Sequence, residues 1–225
     1  MKPAVMYGGG NIGRGFIGAL MSGSGFEVTF IDVAEPVINA LNEKNCYPVR
    51  IIAGDTYKDV NVEHVKAVNG NDTEAAAQAI ADADIMATAV GARILPYIVP
   101  NLVAGIRKRW AQGGAPLNII ICENLMDANK ILEKMLKDQL TAEEQEKFDE
   151  TIGLVEASIG RMVPVQTEEM KDGDPMRVCV EEYSYLPVDK AAFKGQKKAV
   201  GPVELVFLKM SVHVFPAEGN DMGQA

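Results

Sequence analysis

Three glycines near the start of the chain are spaced for phosphate chemistry. Gly8, Gly10 and Gly13 satisfy GxGxxG, and they follow at once on the apolar run Ala4-Val5-Met6-Tyr7. In that pattern each glycine has a separate job. Gly8 permits a tight turn out of a strand. Gly10 lets the backbone approach a pyrophosphate, and Gly13 lets the next helix lie close to the strand. Gly9, Asn11, Ile12 and Arg14 complete the loop and are candidate cofactor contacts with them. A helix beginning here offers free N–H groups and a partial positive charge to phosphates.

The next extended run, Glu27-Val28-Thr29-Phe30-Ile31, ends in Asp32, nineteen residues after Gly13. That is close to the ~20-residue offset of the carboxylate that binds an adenosine ribose. A carboxylate there accepts from both ribose hydroxyls and repels a 2′-phosphate, which favours NAD over NADP. The competing reading is a glycine turn in another α/β fold, with Asp32 as a helix N-cap. The order strand, glycines, helix, strand, acid favours the nucleotide site.

Further along, Asp84-Ile85-Met86-Ala87-Thr88-Ala89-Val90 reads as a buried strand closed by Gly91, and Leu117 to Cys122 as another that delivers Glu123 and Asn124. In a doubly wound sheet the ends of these strands face the ligand. Gly91 is either a close approach to the cofactor or only a strand-ending turn. Glu123 either orients a neighbour or caps the following helix.

Composition excludes several alternatives. The 225 residues carry a net charge of −9, with 48% hydrophobic and 24% charged residues, which fits a globular protein and argues against nonspecific nucleic-acid binding. Arg107-Lys108-Arg109 and Lys197-Lys198 read as solvated helix ends or loop. No apolar run reaches the ~18 residues of a membrane span, and the first residues read as a strand rather than a signal peptide. Three cysteines without metal spacing and two histidines argue against a metal site and for reduced, cytoplasmic thiols.

The intervening pattern predicts an α/β protein, a doubly wound, mostly parallel sheet of Rossmann type. Helices are expected at Ala34–Lys44 and Asp72–Ala81, and at Ile94–Trp110, where Pro96 and Pro100 fit first turns. Residues 47–52 and 57–62 flank Ala53-Gly54-Asp55 as an inserted β-hairpin. His64 alternates with apolar neighbours as an exposed strand residue. A long helical region is expected from Asp127 to about Phe148, with a fresh start at Thr141, then strands at Ile152–Ala157 and Arg177–Tyr183.

Several motifs share one family resemblance. Gly10-Asn11-Ile12-Gly13-Arg14-Gly15-Phe16-Ile17-Gly18, Ile121-Cys122-Glu123-Asn124, Gly160-Arg161-Met162-Val163-Pro164 and the run Val188 to Gly195 resemble, in order, motifs of the polyol-specific long-chain dehydrogenases. The resemblance implies metal-free, NAD-dependent oxidation of a polyol or polyol phosphate, for which D-mannitol 1-phosphate to D-fructose 6-phosphate is the expected reaction. It gives Asn124 a catalytic part, as one of the asparagines that polarise the developing oxyanion, although Asn124 could equally cap a helix.

Two departures stand out. The family has Asp where this chain has Gly160. The family's catalytic lysine, in a C-terminal helical domain, finds no match: after about Lys198 the resemblance stops, and Lys209 and His213 lie at the wrong spacing. The expectation is an NAD-binding domain over 1–196, a truncated or divergent tail over 197–225, and apolar surface that favours self-association. Other expectations are a mannitol 2-dehydrogenase or sugar-acid reductase of the same family, or a non-catalytic NAD-binding module.

Overall fold

The structure, a computed structural model, describes residues 1–195; the expected tail, with Lys209 and His213, lies outside the described residues. The chain opens with β1 (Lys2–Tyr7). A π-helical turn (Gly13–Gly18) then runs without a break into α1 (Ala19–Gly23). β2 (Phe26–Asp32), α2 (Glu35–Lys44), β3 (Cys46–Ala53), β4 (Thr56–Glu63) and β5 (Val65–Asn69) follow. Next come α3 (Thr73–Asp82), β6 (Ile85–Thr88), α4 (Leu95–Ala111) and β7 (Leu117–Ile121). The described part ends with α5 (Ala128–Lys137), α6 (Ala142–Thr151), β8 (Ile152–Glu156), α7 (Glu168–Lys171), β9 (Val178–Glu181) and a 3₁₀ turn (Lys190–Ala192).

Six strands form one sheet in the order β5-β2-β1-β6-β7-β8, and every neighbouring pair is parallel. The order reverses between β1 and β6, the switch point at which an open α/β sheet forms its ligand crevice. Parallel strands covered on both faces read as nearly continuous apolar runs, and the period of two then sorts them. Ala4, Met6, Val28, Phe30, Ala87, Ile120 and Val155 face one core. Val5, Tyr7, Ile31, Met86, Ile119 and Ile121 face the other, against α3, α4, α5 and Phe148 of α6.

The predicted hairpin is present, but it does not extend the large sheet. β3 pairs antiparallel with β4 and parallel with β9, giving a separate sheet in the order β4-β3-β9. The Arg177–Tyr183 strand is thereby spent on the second sheet. Tyr47, Val49, Val178 and Val180 of that sheet share the core of Phe16, Met21 and Phe30, with the Phe30 and Tyr47 rings edge to face at 5.9 Å.

Three local expectations are corrected and a fourth holds. Pro96 lies in the first turn of α4, but Pro100 lies inside the helix, where its missing N–H opens one rung of the ladder. His64 is exposed, but it is a link between β4 and β5 with φ of 58° rather than a strand residue. The fresh start expected at Thr141 is present: Thr141 and Glu144 form a reciprocal capping box that begins α6. Arg109 is no solvated helix end: it is buried, and it donates to the carbonyls of Ala81, Ala83 and Ala115 around the C-terminus of α3.

Candidate functional site

The glycine loop leaves β1 at the switch point and touches the loop that leaves β6. Gly8 has φ of +105°, and a Cβ there would stand 2.5 Å from the Ala89 carbonyl oxygen. The backbone therefore fits only without a side chain. Gly13 answers to close approach instead: its Cβ would stand 1.9 Å from the Gly8 oxygen, so the helix lies directly against the turn. Around Gly10 nothing lies within 4 Å of a Cβ, so no packing within the protein demands a glycine there. Asn11 and Ile12 open the helix half-buried, with Ile12 against the core. The Arg14 N–H bonds the Gly10 carbonyl at 2.9 Å. The N–H groups of the residues before it open the helix, where no carbonyl lies a turn behind to receive them.

Asp32 ends β2 beside this loop. Its Oδ2 accepts from the Gly9 N–H at 2.6 Å, and its Oδ1 accepts from the N–H groups of Val33 and Ala34 at 2.7 and 2.8 Å. It caps no helix, since the residue flanking α2 is Ala34 without a side-chain cap. A carboxylate offers about four acceptor positions; three are taken, which leaves one on Oδ2. The neighbouring loop is fixed as well. The Gly70 N–H bonds the Asp32 carbonyl at 2.8 Å, and Asn101 Nδ2 reaches both the Gly70 carbonyl and the Tyr7 hydroxyl at 2.7 Å.

Arg14 stands apart from the other loop residues. Its side chain turns inward and leaves the residue 6% exposed. Nε donates to the Gly9 carbonyl at 2.7 Å and a terminal nitrogen to the Met176 carbonyl. Whatever Arg14 does for a ligand, it does through Gly9 and through its charge. Two further contacts tie the widened turn to the second sheet. The Tyr47 hydroxyl donates to the Arg14 carbonyl at 2.7 Å, and Arg161, also buried, donates to the carbonyls of Gly15 (3.1 Å) and Glu181 (2.9 Å). Arg161 also lies 5.3 Å from the centroid of the Phe16 ring. Side-chain donors thus satisfy two carbonyls of the π-helical turn, as a wide turn within a helix requires. Burial lowers the pKa of both arginines and raises that of the Tyr47 hydroxyl.

At the ends of β6 and β7 the arrangement is simpler. Glu123 is buried, and its two oxygens accept from the N–H groups of Val90 (3.0 Å) and Gly91 (2.7 Å). It orients the neighbouring loop and caps nothing: Asp127 flanks α5. Gly91, with φ of +90°, is exposed, and its N–H is already committed to Glu123. Asn124 is exposed at the same edge. Cys122 is buried and its thiol pKa is raised, first by burial and then by Glu123, which leaves it unreactive.

The structure thus brings Gly8 to Gly13 and Asp32 together on one side of the switch point, and Gly91, Glu123 and Asn124 on the other. Tyr47, Met176 and Arg161 had no role in the sequence reading. The one sequence signal for them was an arginine set among the apolar residues of Gly160 to Pro164. Where the family motif carries Asp, a Cβ on Gly160 would meet the Tyr183 ring at 2.8 Å. No group of metal-binding side chains occurs among the described residues, and none of their helices is long and apolar enough to cross a membrane.

Sheet order, crossover and glycine loop define a Rossmann-type domain of the dehydrogenase kind. Residues 2–201 match the family model described as the mannitol dehydrogenase Rossmann domain, and the chain belongs to that family. It is 41% identical over 204 residues to a mannitol-1-phosphate 5-dehydrogenase of Shouchella clausii, covering 90% of this chain and 53% of that protein. It is 38% identical over 195 residues to one of Lactiplantibacillus plantarum, covering 86% and 49%. The chain therefore spans about half the length of these relatives. Among solved structures, a D-sorbitol dehydrogenase in substrate-free form superposes with a TM-score of 0.75 at 13% identity, covering 92% of this chain and 53% of that one. Pseudomonas fluorescens mannitol 2-dehydrogenase, in a ternary complex with NAD and D-mannitol, gives 0.72 at 13% identity, covering 89% and 52%.

Proposed function

We propose that the chain binds NAD(H) across the C-terminal edge of its six-stranded sheet and is the nucleotide-binding part of a D-mannitol 1-phosphate dehydrogenase. The observation that carries this reading is the link from Gly9 to Asp32, which fixes a carboxylate against the second residue of the GxGxxG turn. The residues fit the dinucleotide. The open acceptor position on Asp32 suits one ribose hydroxyl, and the carboxylate charge opposes a 2′-phosphate. The free space around Gly10 and the N–H groups of the first helical turn suit the pyrophosphate. NAD, when bound, supplies the hydride acceptor.

In this reading Asn124 is the described residue that acts on substrate. A neutral amide donates to an alkoxide without competing for its proton, and Asn124 stands exposed at the end of β7. The general base is assigned to no described residue. The mannitol-1-phosphate 5-dehydrogenases that resemble this chain support a sugar phosphate as the substrate class, with interconversion of D-mannitol 1-phosphate and D-fructose 6-phosphate as the reaction.

Titration of NADH fluorescence, run beside NADH oxidation with D-fructose 6-phosphate, tests the proposal in two parts. Binding without oxidation supports a competent nucleotide domain that lacks its base. Binding with oxidation supports the whole reaction. Absence of binding removes the reading of Gly8 to Asp32 on which the rest depends.

A further inference from the structure

Three arginines are buried in the described residues, and each donates to backbone carbonyls: Arg14, Arg109 and Arg161. None of the three forms an ion pair with a carboxylate there. Taking an unpaired cation out of water is costly unless something of opposite sign compensates it. For Arg109 the compensation is visible. Its terminal nitrogen meets the carbonyls of Ala81 and Ala83 at the end of α3, the negative end of that helix dipole.

Arg14 and Arg161 have the opposite setting. Arg14 lies in the first turn of the helical run from Asn11 to Gly23, and Arg161 bonds Gly15 one residue later. This is the positive end of a helix, where added cations are disfavoured. The nearest acids do not answer the charge by direct contact. Asp32 and Asp174 act on Arg14, and Glu181 on Arg161, only at longer range. Asp32 is engaged by three N–H groups, and Glu181 Oε1 accepts from the Met162 N–H. Two buried positive charges thus lie against the start of the helix that follows the glycine turn, Arg14 at Gly9 and Arg161 at Gly15.

We propose that Arg14 and Arg161 are positioning residues whose buried charges are completed by the pyrophosphate of the dinucleotide. Arg14 also draws the Gly9 carbonyl inward, so that this oxygen does not face the phosphates. The proposal rests on the dinucleotide reading of the site and deepens it: the turn offers full charges beneath it as well as backbone N–H groups. Because Arg161 reaches Glu181 of β9 and Arg14 reaches Met176 just before that strand, the second sheet acquires a function as the anchor of the anion site.

The test compares a charged and an uncharged probe on the full 225-residue chain. Adenosine 5′-diphosphate carries both phosphates, whereas adenosine shares its base and ribose and carries none. Arg14→Met and Arg161→Met are each expected to weaken adenosine 5′-diphosphate about tenfold or more, the scale of a lost charge-assisted contact, while adenosine changes less than about twofold. Arg14→Lys and Arg161→Lys, which keep the charge, should hold the ratio of the two affinities within about threefold of wild type. Equal weakening of both probes by the Met variants, or an unchanged ratio, overturns the proposal in favour of a merely structural role. If a Met variant does not fold, the Gln variant, which keeps amide donors for the carbonyls and lacks the charge, takes its place under the same criteria. Wild-type chain that binds neither NADH nor adenosine 5′-diphosphate overturns the dinucleotide reading itself, whatever the variants do.

Discussion

Asp32 and Asn124 stand at the C-terminal edge of one sheet, on opposite sides of its switch point, and they are held in contrasting ways. Three backbone N–H groups fix the Asp32 carboxylate, and one of them belongs to the glycine turn. The helix start that follows it is tied to the second sheet through Tyr47 and Arg161, and Arg14 ties it to Met176 just before β9. Asn124 is exposed, and no hydrogen bond fixes its side chain among the described residues. The residue behind it, Glu123, holds the Gly91 loop and leaves Asn124 to solvent. The contrast teaches that the chain builds the geometry of the nucleotide side by itself. At Asn124 it contributes a position in the backbone and leaves the side chain to settle against whatever it meets.

The largest effect that would break this contrast lies within the glycine turn. Gly13→Ala places a carbon 1.9 Å from a backbone oxygen. It should cost roughly 3 kcal/mol or more, measured by urea unfolding. Gly10→Ala is the matched control, because nothing lies within 4 Å of its Cβ. Its stability should stay within about 0.5 kcal/mol of wild type, while NADH affinity falls about tenfold or more. If both substitutions behaved alike, the division between a packing glycine and a ligand-facing glycine would fail. Asp32→Asn comes next. Losing a charged acceptor is worth about 10- to 100-fold, so the preference for NADH over NADPH should shrink by that factor in parallel titrations.

Glu123→Gln sharpens the other side. A glutamine has one acceptor oxygen, so either the Val90 or the Gly91 N–H loses its partner. Losing a hydrogen bond to a charged acceptor costs ~1.5–3 kcal/mol, which for a chain of this size lowers the melting temperature by roughly 3–10 °C. Thermal unfolding followed by circular dichroism reads it. An unchanged melting temperature would mean that the Gly91 loop is held by something other than Glu123.

Most of this architecture was legible in the sequence because it is written in local patterns. The glycine spacing, the apolar runs of β1, β2, β6 and β7, and the acid at the end of β2 all speak through neighbours a few residues apart. The second sheet was half legible. The hairpin at 47–62 shows in its alternation, but its pairing with β9 joins Val49 to Val178, and nothing local marks so distant a partner. The buried arginines were illegible for the same reason. Arg14 reads as a ligand contact of the loop and Arg109 as surface charge until the fold places Met176 beside one and the end of α3 beside the other. Pro100 was misplaced because a proline marks a helix start only as a tendency, and packing on the face of Leu102 and Ile106 overrides it. Asn124 was named through family resemblance, since an asparagine after a strand carries no chemistry of its own.

A smaller effect belongs to pH. Paired with Arg107 and bonded to the Thr141 N–H, Glu144 has its pKa lowered from 4.5 to about 2. A carboxylate whose folded pKa is depressed stabilises the fold above its unfolded value, and that contribution is lost as pH falls through the folded one. Wild type should therefore exceed Glu144→Gln by about 1 kcal/mol near neutral pH, the scale of a helix cap. The gap should close as pH falls from 4.5 toward about 2. A gap that persists in acid would place its origin in packing rather than in charge.

The smallest expected effect is the most informative about Asn124. With no bond to lose, Asn124→Ala should leave stability within about 0.5 kcal/mol of wild type in urea unfolding. NADH affinity should stay within about twofold, since the nucleotide loop owes nothing to this amide. A silent Asn124 on both counts is what a residue reserved for substrate must look like in a chain measured without substrate. Should the substitution cost more than about 1 kcal/mol, the side chain is acting as the cap that the sequence also allowed. The two ends of the edge would then be alike, each spending its polar group on the fold, and the oxyanion role proposed for Asn124 would lose its footing.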